Sequence, residues 1–223
     1  MYISLTAFIL FLSLSTGCNP PSENKSSFRE AERKLIEANI PDTNPPSSIE
    51  DTRKKAKEAL TYCRFKGMNE AFCILIDMKI HSGRNRFFVW DFTKDTISHS
   101  FLVGHGCCNN PWSGDYSKEK PVFSNTGESH CSSLGKYKIG KRGYSSWGVN
   151  VKYLLHGLEP SNSNALKRII VFHSWEAVSD EEIYPRGTPE GWGCPTISNN
   201  NFREIDPLLM NTQKPVLMWI YSD

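Results

Sequence analysis

Two side chains stand where chemistry is possible. His173 ends the apolar run Ile169 to Phe172, and Cys194 lies between Gly193 and Pro195 twenty-one residues later. A thiol attacks a carbonyl as its thiolate, and a histidine within reach can take the proton and later return it to a leaving group. Such a pair performs acyl transfer through a thioester. Gly193 lets the backbone approach a ligand closely, and Pro195 fixes the turn that follows. The segment Ser179 to Gly193 is polar and punctuated by proline and glycine, which suits the rim of a site better than a core.

The competing reading is an inert core cysteine and a strand-end histidine that is merely hydrogen-bonded. The order of the two residues carries information. Papain-like and NlpC/P60-type peptidases place cysteine before histidine. Sortases share the present order, but no Thr-Leu-x-Thr-Cys precedes Cys194 and the gap is much shorter than theirs.

The elements that must position this pair read as short strands. From Ala71 the apolar period becomes two, with Phe72, Ile74, Ile76, Met78 and Ile80 alternating with Cys73, Leu75, Asp77 and Lys79 as a half-buried strand. His81 to Asn85 reads as a hairpin turn, Arg86 to Phe92 as the returning strand and Ile97 to Val103 as the third. Further strands are expected at Leu134–Ile139, Val149–Leu155, Ile169–His173 and Val216–Tyr221. A helix near Asn201–Leu209 follows the cysteine, with Pro207 limiting its regularity. Seven or so strands and few helices indicate a mainly β sandwich or barrel over residues 71–223.

Ahead of it, a helix opens at Ser47 or Ser48, with Glu50 or Asp51 completing the cap, runs to Gly67, presents Ala56, Leu60 and Cys63 on one face, and makes residues 48–70 a helical brace. Residues from about Phe72 onward are nevertheless expected to fold alone. Residues 18–47 read as a tether with a short helix from Ser27 to about Ala38. In residues 1–17, Ile3 to Leu14 is long enough for a signal segment and too short to span a bilayer. It ends in Leu14, Ser15, Thr16, Gly17 and Cys18, which resembles a bacterial lipobox. Cys18 is then expected to be the lipidated mature N-terminus of an exported, membrane-anchored lipoprotein of the cell envelope (periplasm), with a plain secretory peptide as the alternative.

With 223 residues and 39% apolar content the chain can bury one well-packed domain plus extensions, and a formal charge of +2 gives no basis for nucleic-acid binding. Seven cysteines are too few for a disulfide scaffold at this length. In an oxidising compartment a bridge from Cys131 to Cys107 or Cys108 is expected, with Cys63 and Cys73 a second candidate pair. A zinc site built from His105, Cys107, Cys108, His130 and Cys131 is the rival reading, but its spacing fits no common zinc pattern.

Several segments together resemble one family. They are Ser100 to Gly106, Phe123 to Tyr137, Leu155 to Glu159 with Asn162, Asn164, Ala165, Arg168 and His173, and Trp192 to Pro195. In this order and spacing they are similar to the murein L,D-transpeptidase catalytic domain family, a divergent branch of the YkuD-type fold, over roughly Phe72 to Tyr221. The resemblance implies a β-sandwich or barrel whose groove takes peptidoglycan stem peptides and needs no cofactor or metal. It implies that Cys194 is the nucleophile and His173 the base, and that the Gly193 and Cys194 amides hold the oxyanion. It places Ser132, Ser133 and Gly135, with Trp192 and Arg186, near the groove. The expected reaction is L,D-transpeptidation; L,D-carboxypeptidase hydrolysis of the same substrate and a non-catalytic wall-binding lipoprotein are the alternatives. The chain departs from the family in carrying Glu190 and Gly191 where Arg-Ser is common before the tryptophan. An acidic residue there would disfavour the thiolate, and Arg186 is the nearest cation to offset it. Trp192 also replaces the histidine found two residues before the cysteine in the widespread branch, and no third residue to orient His173 can be named; a backbone carbonyl would serve.

Overall fold

The structure, a computed structural model, describes residues 48–110 and 121–223. The signal segment, Cys18 and the short helix expected near residue 27 lie outside the described residues.

Helix α1, Ile49–Lys66, begins where Ser48 accepts a hydrogen bond from the Asp51 amide and ends at Gly67. Strands β1 (Phe72–Asp77), β2 (Phe87–Asp91) and β3 (Thr96–Phe101) form an antiparallel meander. After it come β4 (Gly135–Tyr144), β5 (Val151–Gly157), β6 (Val171–Ser174), β7 (Thr196–Ile197), helix α2 (Asn199–Met210) and β8 (Leu217–Tyr221). The eight strands make one sheet in the order β3-β2-β1-β8-β4-β5-β6-β7. Its two ends approach each other just past β3, where the Gly104 amide donates to the Thr196 carbonyl at 2.8 Å. The result is a nearly closed, barrel-like sheet with a short helix at the N-terminus, the YkuD-like fold.

Strand alternation sorts residues to the two faces. Ile74, Ile76, Val89, Tyr137, Leu155, Phe172 and Ile220 turn inward, where Phe202, Ile205 and Leu209 of α2 meet them. Phe172 stacks on Phe87 with ring centroids 5.6 Å apart and meets Phe202 at 5.1 Å. The residues between them in sequence are not solvent-facing. Cys73, Leu75, Phe88, Trp90 and Leu217 form a second buried cluster with Ala56, Ala59 and Cys63 of α1. β1 is therefore buried on both faces, and the half-buried expectation fails because α1 covers the side that alternation assigned to water.

Three further differences from the sequence reading have physical causes. β4 runs on to Tyr144 through a register shift between Ile139 and Arg142, in a stretch with no apolar alternation to announce it. β7 is a two-residue strand, too short to carry a period. Pro207 does not interrupt α2, which continues to Met210. Buried Leu209 and the bonds from Arg142 and the Tyr153 hydroxyl to Asp206, at 2.8 and 2.6 Å, hold that last turn in place.

Candidate active site

His173 reaches the site because β6 alternates: Phe172 enters the core and His173 turns to the opposite face. Its Nδ1 lies 2.9 Å from the Ser174 carbonyl oxygen. A carbonyl only accepts, so Nδ1 carries the proton and Nε2 keeps its lone pair. The orienting partner that no side chain in the sequence supplied is thus a backbone oxygen. Burial holds the imidazole below the ordinary histidine value, with the Lys152 charge adding to the effect and the Ser174 carbonyl opposing it.

Ser174 is fixed from the β4–β5 turn. The Val149 amide donates to Ser174 Oγ at 2.9 Å. Gly148 adopts φ +57° directly over it, where a Cβ would collide with Ser174 Oγ and carbonyl oxygen and lie 2.7 Å from Asn199 Oδ1. Gly148→Ala is expected to push the Ser174 carbonyl off His173 and to cost about 1–3 kcal/mol of stability from overpacking and left-handed backbone. Turnover should drop by about tenfold or more in protein that still melts cooperatively. Unchanged turnover would show that the carbonyl does not position the imidazole.

Cys194 sits on the turn after the rim. Gly193 has φ +94°, and a Cβ there would run into the Cys131 carbonyl oxygen. The Cys194 sulfur accepts from the Val171 amide at 3.4 Å and donates to the Ile169 carbonyl at 3.8 Å. Ile169 itself adopts φ +57°, a strained conformation for a β-branched residue, at the carbonyl that meets the thiol. Among the described residues, the amides of Gly193 and Cys194 donate to no protein acceptor.

His173 and Cys194 face one cavity of about 230 Å³, lined also by Thr196, Gly191, Trp147, Trp175 and Trp192. They share that cavity without a direct hydrogen bond. Burial raises the thiol above its ordinary value, against the lowering effects of the Val171 amide, Arg168 and Lys152. The resting pair is therefore neutral thiol and neutral imidazole, and proton transfer must accompany attack. Turnover requires the imidazole unprotonated, so the acid limb of kcat/KM is expected to lie below that of an ordinary histidine, and the thiol to alkylate at neutral pH more slowly than a free cysteine. Rapid alkylation of Cys194 at neutral pH would indicate a thiolate–imidazolium pair instead.

The segment Cys131 to Gly135 holds the cysteine turn from behind. Arg168 donates to the Cys131 carbonyl at 2.6 Å, to Ser133 Oγ at 2.6 Å and to the Ser124 carbonyl at 2.9 Å. A disulfide joins Cys131 to Cys108, while Cys63, Cys73, Cys107 and Cys194 are thiols. Ser132 Oγ accepts from the Gly106 amide at 3.1 Å and donates to the Gly193 carbonyl at 3.4 Å. Ser132 and Ser133 are buried supports, not cavity walls: the Ser132 hydroxyl is taken up by the Gly106 and Gly193 backbone, and the Ser133 hydroxyl by the Arg168 guanidinium and the Ser124 carbonyl. Gly135 opens β4 against Glu159, Ser161 and Asn162, away from the cavity lining. Arg186 is exposed and does not line the cavity; its carbonyl packs against Gly83.

Trp192 does line the cavity. It is 59% exposed and stacks on His130 with centroids 4.9 Å apart. Glu190 is not beside the nucleophile in the sense its position suggested. It is fully buried, 3.4 Å from His105 Nε2, and His105 Nδ1 in turn accepts from Arg86 at 2.8 Å. The whole of Arg86 is interior, and burial pulls its guanidinium down to about 9. This chain of polar groups braces the residues on which Gly191 is carried, since the Gly191 amide donates to the His105 carbonyl at 2.8 Å. The disulfide takes two of the residues considered for zinc, and His105 is engaged with Arg86 and Glu190.

Sequence reading missed Trp147, Trp175 and Lys152 as neighbours of the pair, and named Arg168 only as part of the family-like motif, without a role. Lone residues in turns and on a strand give no periodic signal; only their register around His173 reveals them.

The fold and this cavity define a cysteine-containing domain of the YkuD type. The sequence matches the L,D-transpeptidase catalytic domain model over residues 47–221, and the chain belongs to that family, whose members act on peptidoglycan stem peptides. No curated protein is matched by the sequence. Among solved structures it is similar to the helical cell shape determining protein Pgp2 (K307A mutant) of Campylobacter jejuni, at 12% identity and TM-score 0.43, covering 69% of this chain and 47% of that one. It is also similar to Bd1075 of Bdellovibrio bacteriovorus, at 14% identity and TM-score 0.40, covering 70% and 49%. An L,D-transpeptidase of Xylanimonas cellulosilytica is matched at 7% identity and TM-score 0.38, covering 72% and 68%. The chain thus spans about half the length of the first two.

Proposed function

We propose that the protein is an acyltransferase of peptidoglycan stem peptides that works through Cys194 and His173. His173 Nε2 takes the thiol proton as Cys194 Sγ attacks the carbonyl carbon of an L-to-D peptide bond. The negative charge on the carbonyl oxygen is taken by the unpartnered amides of Gly193 and Cys194. The tetrahedral species collapses, the C–N bond breaks, and His173 gives its proton to the departing amine. A thioester on Cys194 remains. An amine of a second stem then attacks it in transpeptidation; water attacks it in carboxypeptidation. The same residues serve both outcomes.

The observation that carries this reading is the shared cavity. It joins a cysteine to a histidine whose Nδ1 is committed to Ser174 and whose Nε2 is thereby left basic. The apolar Ile3 to Leu14 stretch ahead of Cys18 supports export and a lipid anchor that holds the domain at a membrane facing the wall. Incubating purified sacculi with the full chain, then digesting the glycan and weighing the muropeptides, tests the function. New crosslinked dimers indicate transfer, and shortened stems indicate hydrolysis. Muropeptides identical to the untreated control would refute both.

A further inference from the structure

Four residues from four adjacent strands stand in one row: Gly143 on β4 is paired with Lys152 on β5, Lys152 with His173 on β6, and His173 with Thr196 on β7. Residues directly opposite in neighbouring strands share a face, with Cβ atoms about 4.5–5.5 Å apart. The row therefore crosses the face that carries the imidazole. At its far end Gly143 has no side chain, and the space where its Cβ would stand is open. The Lys152 stem is thus set between an empty slot and His173.

Lys152 is half-buried and makes no ion pair among the described residues. On β4, Lys136 is 2.8 Å from Glu159 and Arg142 is 2.8 Å from Asp206, while Lys138 and Lys141 make no ion pair among the described residues; Lys152 is the sheet cation whose register puts it opposite His173. We propose that Lys152 seats the α-carboxylate of the amino acid that leaves, so that the site selects bonds whose leaving residue is the free carboxyl terminus. This rests on the function proposed above.

The argument is one of placement. The departing amine must lie at His173 Nε2 to receive its proton, and in an α-amino acid the carboxylate is borne on the carbon next to that amine. Lys152 is the residue directly across the strand from the imidazole. It flanks the cavity from the His173 side rather than lining it, and its charge lowers both the imidazole and the thiol. A bound carboxylate would neutralise that charge. The imidazole would then become more basic as substrate binds, when it must accept a proton.

The test compares an L-to-D tetrapeptide ending in free D-alanine with the same peptide as its carboxyl-terminal amide. The wild-type chain is expected to favour the acid in kcat/KM by about tenfold or more, as for a hydrogen bond to a charged group. Lys152→Met keeps the apolar stem and should bring the acid-to-amide ratio to about one, with Lys152→Arg restoring part of it. A ratio left unchanged by Lys152→Met would overturn the proposal, even if both rates fell, since that pattern means the lysine acts on the imidazole alone.

Binding of the two peptides to Cys194→Ala protein, measured by calorimetry, separates this idea from the catalytic one. Tighter binding of the acid that vanishes with Lys152→Met supports the carboxylate seat, whether or not the chain turns substrate over. Equal binding of acid and amide would overturn it. Turnover retained in Cys194→Ala would sink the nucleophile assignment and leave the seat standing.

Discussion

Cys194→Ala is expected to abolish both crosslinking and trimming of sacculi, a loss on the order of 10⁴-fold or more. The thiol is the group that forms the covalent bond, and the remaining cavity residues offer little to replace it. Thr196 contributes a buried hydroxyl on a strand, a far weaker nucleophile than sulfur, and the tryptophans contribute none. The substitution should leave the fold intact, because it removes a single sulfur atom whose hydrogen-bond partners are the Val171 amide and the Ile169 carbonyl. His173→Ala is expected to be less complete. It removes general acid–base help worth roughly 10²–10⁴-fold but leaves the thiol and its amide donors in place. A small residual rate that rises with pH, as more thiol ionises, would be its signature.

The second large effect concerns α1. Truncation at Phe72, which the strand pattern alone suggested would leave a complete domain, is expected to yield unfolded or aggregated protein. Ala56, Ala59 and Cys63 pack directly on Cys73, Leu75, Phe88, Trp90 and Leu217, all of which are buried. Fully burying one large apolar side chain is worth roughly 1.5–3 kcal/mol. Uncovering several of them at once removes on the order of 5–10 kcal/mol, comparable to the whole stability of a domain. The helix is also tied down at its edges. Arg53 pairs with Asp95 at 3.0 Å, and Lys55 pairs with Asp223 at 3.0 Å while lying over Trp219 and Tyr221. These surface contacts add little energy, but they fix the helix register. The match to the family begins at residue 47, which places α1 inside the same unit. A truncated chain that gave a cooperative melt and native-like near-UV circular dichroism would show that α1 is dispensable.

Much of the fold was legible because local chemistry and packing agree. Ser48 and Gly67 mark the ends of α1 by their capping chemistry, and the period-two runs mark β1, β2 and β3. What was illegible depends on partners distant in sequence. The outer residues of β1 looked solvent-facing because nothing in their own strand tells that α1 lies over them. β7 is two residues long and exists only because β6 lies beside it and Gly104 approaches from the other side. Glu190 looked like a charge beside the thiol; its burial against His105 is a tertiary fact. The Cys108–Cys131 bridge was one of two pairings open to Cys131, and spacing alone does not choose between them.

The site divides in the same way. Cys194 and His173 were readable as residue types in an informative order. The group that orients His173 was not, because it is the carbonyl of Ser174, an atom every residue carries. Lys152 was hidden for a related reason. Its nearness to the imidazole is a matter of β5–β6 register, which no single strand reveals.

Mixing the full chain with an L-to-D tetrapeptide, quenching in acid and weighing the intact protein tests the central claim most directly. The account predicts a mass increase equal to the mass of the peptide minus that of free D-alanine, located by peptide mapping on Cys194 and absent from Cys194→Ala. Full turnover of the peptide by Cys194→Ala, or an adduct mapped to any other residue, would contradict it.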